Sequence, residues 1–248
     1  MKPLYFILLL CGLSFTGCKK SDPVTPTTDP LQHLHDAREL VDHISQANTT
    51  YQHGASVVTW KTPTTPYQSY TDCSGFINAL LQKSYLVDSL QFKTWLGAYR
   101  PHAFNYYDAV IAKRGFDYIT QVGDIQPGDL ITLKYVDSAQ HDENTGHCLL
   151  VDELPKLMTA NDIQLPNTTQ YSVRVIDSTE DPHGTSDTRH LSATDKYTGL
   201  GKGTFRLYAD PQGNVVGYSW SELKPNAGFD PQENPIAIGR QTSFGGRQ

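Results

Sequence analysis

The chain has 248 residues, of which 38% are hydrophobic and 19% charged, a composition typical of a globular protein with room for one sizeable domain or two small ones. Its 20 Lys and Arg residues are outnumbered by 26 Asp and Glu residues and form no run longer than Lys19-Lys20, so no nucleic-acid-binding surface is indicated. Collagen-like, coiled-coil and polytopic membrane proteins are excluded as well.

The first 17 residues form a segment of their own. Met1-Lys2 is followed by an apolar run from Leu4 to Leu10, which is too short to cross a bilayer as a stable helix, and small residues precede Cys18. This pattern resembles a bacterial lipoprotein signal peptide, which implies cleavage before Cys18 and attachment of lipid to its thiol. The mature chain would then be anchored by lipid in the extracytoplasmic part of a bacterial cell envelope. An ordinary secretory signal or an uncleaved anchor is the alternative.

Residues 18–30 are rich in Pro and Thr and are typical of an extended tether. Residues 31–248 show no internal repeat and no second linker, so we expect a single domain there. Its first element is predicted to be a helix over residues 31–45, because apolar side chains recur at intervals of three and four.

Cys73 lies at the predicted start of a second helix. Asp72 is a competent N-cap, and the buried stripe of a helix running to about Tyr85 is formed by Phe76, Ile77, Leu80 and Leu81. Unpaired amides and the helix dipole favour a thiolate in the first turn, which is the state that a nucleophile needs. A small buried cysteine with no chemical role is the alternative.

Three strands are predicted downstream, over residues 130–136, 146–152 and 171–177. His147 begins the second of these strands and Asp177 ends the third, so antiparallel pairing would make the two side chains neighbours. The faces that carry them are otherwise apolar, and we expect those faces to pack against the Cys73 helix. His147 could then take the thiol proton while Asp177 orients the imidazole. A structural histidine and a strand-end carboxylate are the alternatives.

These motifs together resemble the NlpC-type cell-wall cysteine peptidases, a papain-like superfamily. The resemblance rests on Asp72-Cys73-Ser74-Gly75-Phe76, Pro127-Gly128-Asp129-Leu130 and Gly146-His147 before an apolar strand, and it covers roughly residues 50 to 180. It implies an α+β fold in which the helix carrying the cysteine packs on an antiparallel sheet. It also implies cleavage of amide bonds in peptidoglycan stem peptides.

The resemblance also implies roles for individual residues. Cys73 matches the nucleophile and His147 the base, while the third polar position falls on Asp177. Asp72 and Ser74 match positions that help to hold the substrate amine, and either Tyr67 or Tyr70 could be the aromatic residue that lines the pocket. The chemistry requires no cofactor and no metal, and we expect a monomer.

Two parts of the chain exceed the usual family domain. Residues 87–122 form an insertion with several aromatic side chains, and we expect a helical segment that lines a substrate groove or adds to the core. At the C-terminal end, residues 205–210 and 215–220 flank a turn and predict a hairpin, and residues 235–240 predict a last strand.

Other interpretations of the polar residues stay open. The folded part of the mature chain contains Cys73 and Cys148, which would form a disulfide only if His147 did not meet Cys73, because Cys148 leaves its strand from the opposite face. Asp181 and His183 are expected to be solvated loop charges. The function could also be the same thiol chemistry on another amide or a thioester, acyl transfer, or catalytically silent binding by a lipid-tethered module.

Overall fold

The computed structural model describes residues 29, 31–141, 144–159, 165–221 and 234–244. The predicted lipoprotein signal, the lipid attachment at Cys18 and most of the predicted tether lie outside these residues. The helices in the described ranges are α1 (Gln32–His43), α2 (Cys73–Tyr85), α3 (Ser89–Leu96) and α4 (Ala103–Ile111), besides short 3-10 turns. Within these ranges, no helix has the length and apolar character needed to cross a membrane.

The two predicted helices are confirmed as α1 and α2. Asp72 caps α2 by accepting a hydrogen bond from the Gly75 amide, and the predicted apolar stripe of the helix is buried. The helix ends at Tyr85, where Leu86 adopts a left-handed conformation with φ of 57°. The insertion contributes α3 and α4, so the helical segment expected there is present.

The strands are short near the N-terminus and long near the C-terminus. In the described residues they are β1 (Thr49–Thr50), β2 (Val57–Thr59), β3 (Gln68–Tyr70), β4 (Phe116–Ile119), β5 (Leu130–Lys134), β6 (Gly146–Val151), β7 (Lys156–Leu157), β8 (Thr169–Thr179), β9 (Gly199–Ala209), β10 (Val215–Ser219) and β11 (Ile236–Gln241). The three predicted strands correspond to β5, β6 and β8, and the predicted hairpin and last strand correspond to β9, β10 and β11. The fold is therefore of the α+β class.

The main sheet is antiparallel and closes on itself. Its strand order is β10-β9-β8-β6-β5-β11-β4, with β7 paired to β8, while β1, β2 and β3 form a separate small sheet. An antiparallel bridge joins Gln121, just after β4, to Asn214, just before β10, and the Val215 amide donates to the Thr120 carbonyl at 2.8 Å. These contacts join the segment after β4 to the segment before β10, and they close the sheet into a barrel.

The barrel has an apolar core inside and a second core outside. Its interior is filled from alternate strand positions by side chains that include Leu133, Leu149, Val151, Val173, Val175, Phe205 and Leu207. The helices pack on the outer face, where Cys148, Leu150, Ile176 and Leu200 join the core that contains Cys73 and Phe76.

The face prediction for β6 and β8 was therefore wrong. Leu149, Val151, Val173 and Val175 point into the barrel, and α2 packs on the opposite face of these strands. All six residues of β6 are buried, because this strand has the barrel core on one side and helices on the other. Apolar residues at alternate positions could not show which face the helix covers.

The C-terminal strands are integral to the barrel. β9 pairs with β8 along its whole length of 11 residues, and β11 lies between β5 and β4. The chain that follows the predicted family-like region thus completes the sheet on which the site is built.

Candidate active site

Cys73 is the first residue of α2, and Asp72 determines the geometry of this helix start. Asp72 Oδ1 accepts hydrogen bonds from the Gly75 amide, at 2.6 Å, and from the Ser74 hydroxyl, at 3.0 Å. The Asp72 carbonyl accepts from the Phe76 amide at 3.0 Å. These contacts leave the amides of Cys73 and Ser74 at the start of the helix, where they and the helix dipole favour negative charge on the sulfur.

His147 connects Cys73 to Asp177. Its Nε2 atom is 2.7 Å from Asp177 Oδ2, and Cys73 lies close enough to the ring for its negative charge to raise the pKa of His147. Because Nε2 is engaged by the carboxylate, Nδ1 is the ring nitrogen left for the sulfur. The structure thus brings together the three residues that the sequence singled out, in the predicted order of sulfur, ring and carboxylate.

Two local features bring His147 to this place. Gly146 has a φ of 132°, and a Cβ atom there would lie 1.9 Å from the Leu133 carbonyl oxygen, so only glycine fits before the histidine. Ser178 Oγ donates to the Thr71 carbonyl at 2.8 Å, which ties the end of β8 to the segment that leads into α2. The end of the barrel and the start of the helix are therefore held side by side.

Asp177 is completely buried and accepts from three cationic or polar side chains. Its Oδ2 atom accepts from His147 and, at 3.0 Å, from His183 Nε2, while Oδ1 accepts from Arg189 Nη2 at 2.9 Å. His183 is itself fully buried and is not the solvated loop residue that we expected. The expectation was wrong because the loop after β8 folds back over the barrel.

Arg189 is also fully buried, and all of its guanidinium donors are used. Nε and Nη2 donate to the two oxygens of Asp187, Nη2 donates to Asp177 Oδ1, and Nη1 donates to the carbonyls of Asp177 and Gly199. A guanidinium with every N–H paired has one allowed orientation. Arg189 therefore holds Asp177 in place from the side opposite His147.

The buried loop fits over β9 because that strand carries glycines on one face. A Cβ atom at Gly201 would lie 2.7 Å from Arg189 Nε, and one at Gly203 would lie 2.4 Å from Asp187 Oδ2. The alternation Gly199, Gly201, Gly203 within a strand is the sequence signal for a close approach that our prediction missed. Without that signal, nothing in the sequence connects Arg189 to the site.

The charges at the site are stabilised by one another. Burial lowers the pKa of His147, but the negative charge of Cys73 and the hydrogen bonds to Asp177 and Cys73 outweigh it and raise this pKa to about 10. Burial favours the neutral acid of Asp177, yet Arg189 and the two histidines hold the pKa of Asp177 well below its usual range. At neutral pH the site thus contains an imidazolium next to a carboxylate, the arrangement that supports a thiolate.

Cys73 opens into a pocket of about 220 Å³. The residues that line it are Tyr51, His53, Asp72, Cys73, Ser74, His102, Ala103, Asn144, Thr145 and Gly146. Burial and the negative charges of Cys73 and Asp72 raise the pKa of Tyr51, so its hydroxyl remains a hydrogen-bond donor near the sulfur. A larger cavity of about 560 Å³ lies beyond Trp220, but it contains none of Cys73, His147 and Asp177.

The aromatic residue in this pocket is Tyr51, and the prediction of Tyr67 or Tyr70 was wrong. The Tyr67 hydroxyl donates to Glu39 at 2.9 Å, and the Tyr70 hydroxyl donates to the Ala47 carbonyl at 3.4 Å. Neither residue lines the pocket. Sequence reasoning missed Tyr51 because only the fold of the chain around β1 brings it to Cys73.

Asp72 and Ser74 line the pocket, but the Asp72 carboxylate is already fully paired. Its Oδ2 atom accepts from Arg100 Nη2 at 2.7 Å, and Arg100 comes from the insertion, between α3 and α4. Burial raises the pKa of Asp72, and the contacts with Arg100, Gly75 and Ser74 more than reverse this effect and lower it. A substrate amine would have to compete with Arg100 for this carboxylate.

Cys148 is a free, buried cysteine, and Cys73 is free as well, so the disulfide alternative does not describe this structure. Cys148 points away from His147, as expected, but it lies in the same apolar core as Cys73 and not in a separate layer. Burial and the charge of Cys73 raise the pKa of Cys148 well above its usual value, which favours an inert thiol. Within the described residues, no group of three or more His, Cys, Asp or Glu side chains is arranged to hold a metal ion.

One comparison with known proteins gives a family. The chain is 37% identical over 213 residues to "Uncharacterized protein R653" of Acanthamoeba polyphaga mimivirus, an alignment that covers 82% of this chain and 93% of that protein. The chain therefore belongs to the same family as this mimivirus protein. No family model matches the chain. No solved structure matches it either.

Proposed function

We propose that this protein is a papain-like cysteine hydrolase of the NlpC type that cleaves amide bonds in peptidoglycan stem peptides. One observation carries the proposal: the buried imidazole of His147 is hydrogen-bonded to the buried Asp177 at 2.7 Å and lies close enough to Cys73, at the start of a helix, for the charge of the sulfur to raise its pKa. A nucleophile, a base and an orienting group in contact, next to an open pocket, form the minimal machinery of thiol hydrolysis.

The proposed reaction starts with attack of the Cys73 thiolate on a substrate carbonyl carbon. The amides of Cys73 and Ser74 stabilise the oxyanion, and the His147 imidazolium gives its proton to the leaving amine as the C–N bond breaks. Water then loses a proton to His147 and attacks the thioester, which releases the carboxylic acid and restores the thiolate. Asp177 stays ionised throughout and stabilises the charged form of the ring.

The proposed location follows from the lipoprotein-like N-terminus. A lipid at Cys18 would keep a monomeric hydrolase at the bacterial envelope, where wall peptides are accessible to it. No cofactor enters the proposed reaction.

A second candidate is the same thiol chemistry on a different amide or on a thioester. Two observations favour it: the family relative comes from a mimivirus, and Asp72 is occupied by Arg100. Hydrolysis of short acyl-amide and acyl-thioester substrates, with no release of fragments from wall material, would select this candidate over the first.

The decisive experiment compares two cysteine variants on purified cell wall. Cys73→Ala should reduce the release of soluble peptide fragments by about 10⁴-fold or more, because the nucleophile is lost. Cys148→Ala is the matched control, since this cysteine is also buried but its side chain leaves β6 from the face opposite that of His147. It should retain most of the activity.

Labelling distinguishes an enzyme from a silent binding module. Iodoacetamide near neutral pH should modify Cys73 and leave Cys148 unmodified, as read by mass spectrometry of the folded protein. An unreactive Cys73, or equal fragment release by wild type and Cys73→Ala, would exclude the proposed hydrolase and favour a lipid-tethered binding module.

A further inference from the structure

His183 is a buried histidine outside the three residues of the proposed mechanism. It follows β8 by a few residues, and its ring packs on Trp220, with 4.3 Å between centroids. Nε2 lies 3.0 Å from Asp177 Oδ2, and Nδ1 lies 2.6 Å from the Trp220 carbonyl oxygen. A carboxylate and a carbonyl can only accept hydrogen bonds. Both contacts can be made at the same time only when both ring nitrogens carry a proton, so this geometry favours the imidazolium form of His183.

The charge balance of the buried loop agrees with this protonation state. Asp177 and Asp187 bring two negative charges, and Arg189, bonded to both, brings one positive charge. All three side chains have no solvent exposure, and an unpaired charge in such a place is costly. The imidazolium of His183 supplies the missing positive charge without any contribution from His147.

We propose that His183 is a positioning residue that keeps a constant positive charge on Asp177 while His147 gains and loses its proton. This inference rests on the proposed function. Asp177 Oδ2 is shared by the two histidines, so neither receives the full negative charge. When His147 loses its proton, the positive charge of His183 still balances the negative charge of Asp177. The His147 ring therefore holds its proton less tightly than it would beside a carboxylate that bonded to it alone. A ring that must both give and take a proton during the reaction requires such an intermediate proton affinity.

The surroundings of the two rings contain the groups that set this balance. Cys73 on α2 and Asp177 on β8 face His147, and Tyr51 and Tyr135 lie near enough to the sulfur for its charge to raise the pKa of each. Two carboxylates face His183: Asp177 on β8 and Asp187 from the loop. Asp187 accepts a hydrogen bond from the His183 amide at 2.8 Å, and Arg189 is bonded to both carboxylates. The rings of Phe205 and Trp220, which carry no charge, also pack against His183.

The first test uses the intact protein and no substrate. Histidine labelled with ¹⁵N should show, by NMR between pH 5 and 9, one buried ring with both nitrogens protonated that is absent in His183→Gln. A neutral His183 ring at pH 7 would overturn the inference. If the variant does not fold, the wild-type protein alone is enough for this test. The inference would be overturned if every histidine other than His147 lost a proton below pH 9.

The second test measures the effect on His147. His183→Gln keeps a donor for Asp177 and removes the charge, so the alkaline midpoint of His147 should rise by about one pH unit. His183→Lys restores a positive charge and should return the midpoint toward that of the wild type. An unchanged midpoint in a folded His183→Gln protein would overturn the positioning role, because a structural residue would change stability alone.

These readouts separate the inference from the proposed hydrolysis. If the hydrolysis proposal fails, Cys73 will be unreactive, but the alkaline midpoint of His147 will still rise in His183→Gln. Failure of the inference would appear as an active enzyme whose His147 titrates in the same way with and without the His183 charge.

Discussion

The carboxylate of Asp177 accepts hydrogen bonds from His147, His183 and Arg189, all buried. In water each contact would be weak, but burial makes every unpaired charge costly, so the members of this network depend on one another. Arg189 makes the largest number of hydrogen bonds in this network, because it bonds to Asp177 and Asp187 and to two backbone carbonyls. Arg189, which does not contact Cys73, thus sets the orientation of Asp177, the residue that orients His147.

Arg189→Met should strongly destabilise the protein. The substitution leaves two buried carboxylates without their guanidinium, and breaking a buried ion pair in this way costs about 3–5 kcal/mol. Urea denaturation of both proteins measures the loss. Arg174→Met is the matched control, because Arg174 bonds to Ser186 and Thr204 at a more exposed place on β8. Equal losses for the two variants would contradict a special role for Arg189.

The elements that form the site meet at one end of the barrel. β6 brings His147, β8 brings Asp177, and the start of α2 brings Cys73, while the loop between β8 and β9 covers the strand face that carries Gly201 and Gly203. Because Gly201 and Gly203 have no side chains at this end of the face, the loop can lie close to the backbone and its charged groups can be excluded from water. The site therefore also depends on the glycines of β9, which leave room for the loop.

Gly203→Ala should disturb the loop without changing any charge. The new Cβ atom would lie 2.4 Å from Asp187 Oδ2 and 2.5 Å from His183 Cδ2, so both side chains have to move. We expect a loss of about 1–3 kcal/mol in the free energy of unfolding, as for other overpacked sites, and slower alkylation of Cys73. Gly123→Ala is the control, since no atom lies within 4 Å of the added Cβ. If both variants resemble the wild type, the close packing on β9 is not needed.

For the whole molecule, the ionised groups of the site make stability depend on pH. The folded state raises the pKa of His147 from 6.5 to about 10, so the protonated ring favours the folded protein. Its contribution is fully present below pH 6.5 and is lost as the pH rises through about 10. Asp177 behaves in the opposite way, because its pKa is lowered: its contribution is present above pH 3.8 and is lost at lower pH.

The alkaline half of this dependence can be isolated with His147→Ala. The difference in free energy of unfolding between wild type and His147→Ala should be constant below pH 6.5 and should decrease between pH 6.5 and about 10. Denaturation at a series of pH values measures it. A difference that stays constant up to pH 10 would show that the folded protein does not hold the imidazolium.

The sequence predicted the parts of the site that depend on local patterns. Asp72 before an apolar stripe is enough to place Cys73 at a helix start, and a strand that begins with His147 and another that ends with Asp177 become neighbours under the common antiparallel pairing. These inferences need only the periodicity of the elements and one assumption about their pairing. Both turned out to hold for the described residues.

The parts that the sequence did not predict depend on long-range packing. Tyr51 reaches the pocket, and His183 and Arg189 reach Asp177, because distant segments fold over the end of a closed barrel. The face of β6 that α2 covers was also undecided, because both faces of that strand are apolar. By itself, the sequence determined where α1, α2 and the strands β5, β6, β8, β9, β10 and β11 form and which residue types they carry. Only the tertiary structure decided which charges are buried together, since that depends on excluding water from groups far apart along the chain.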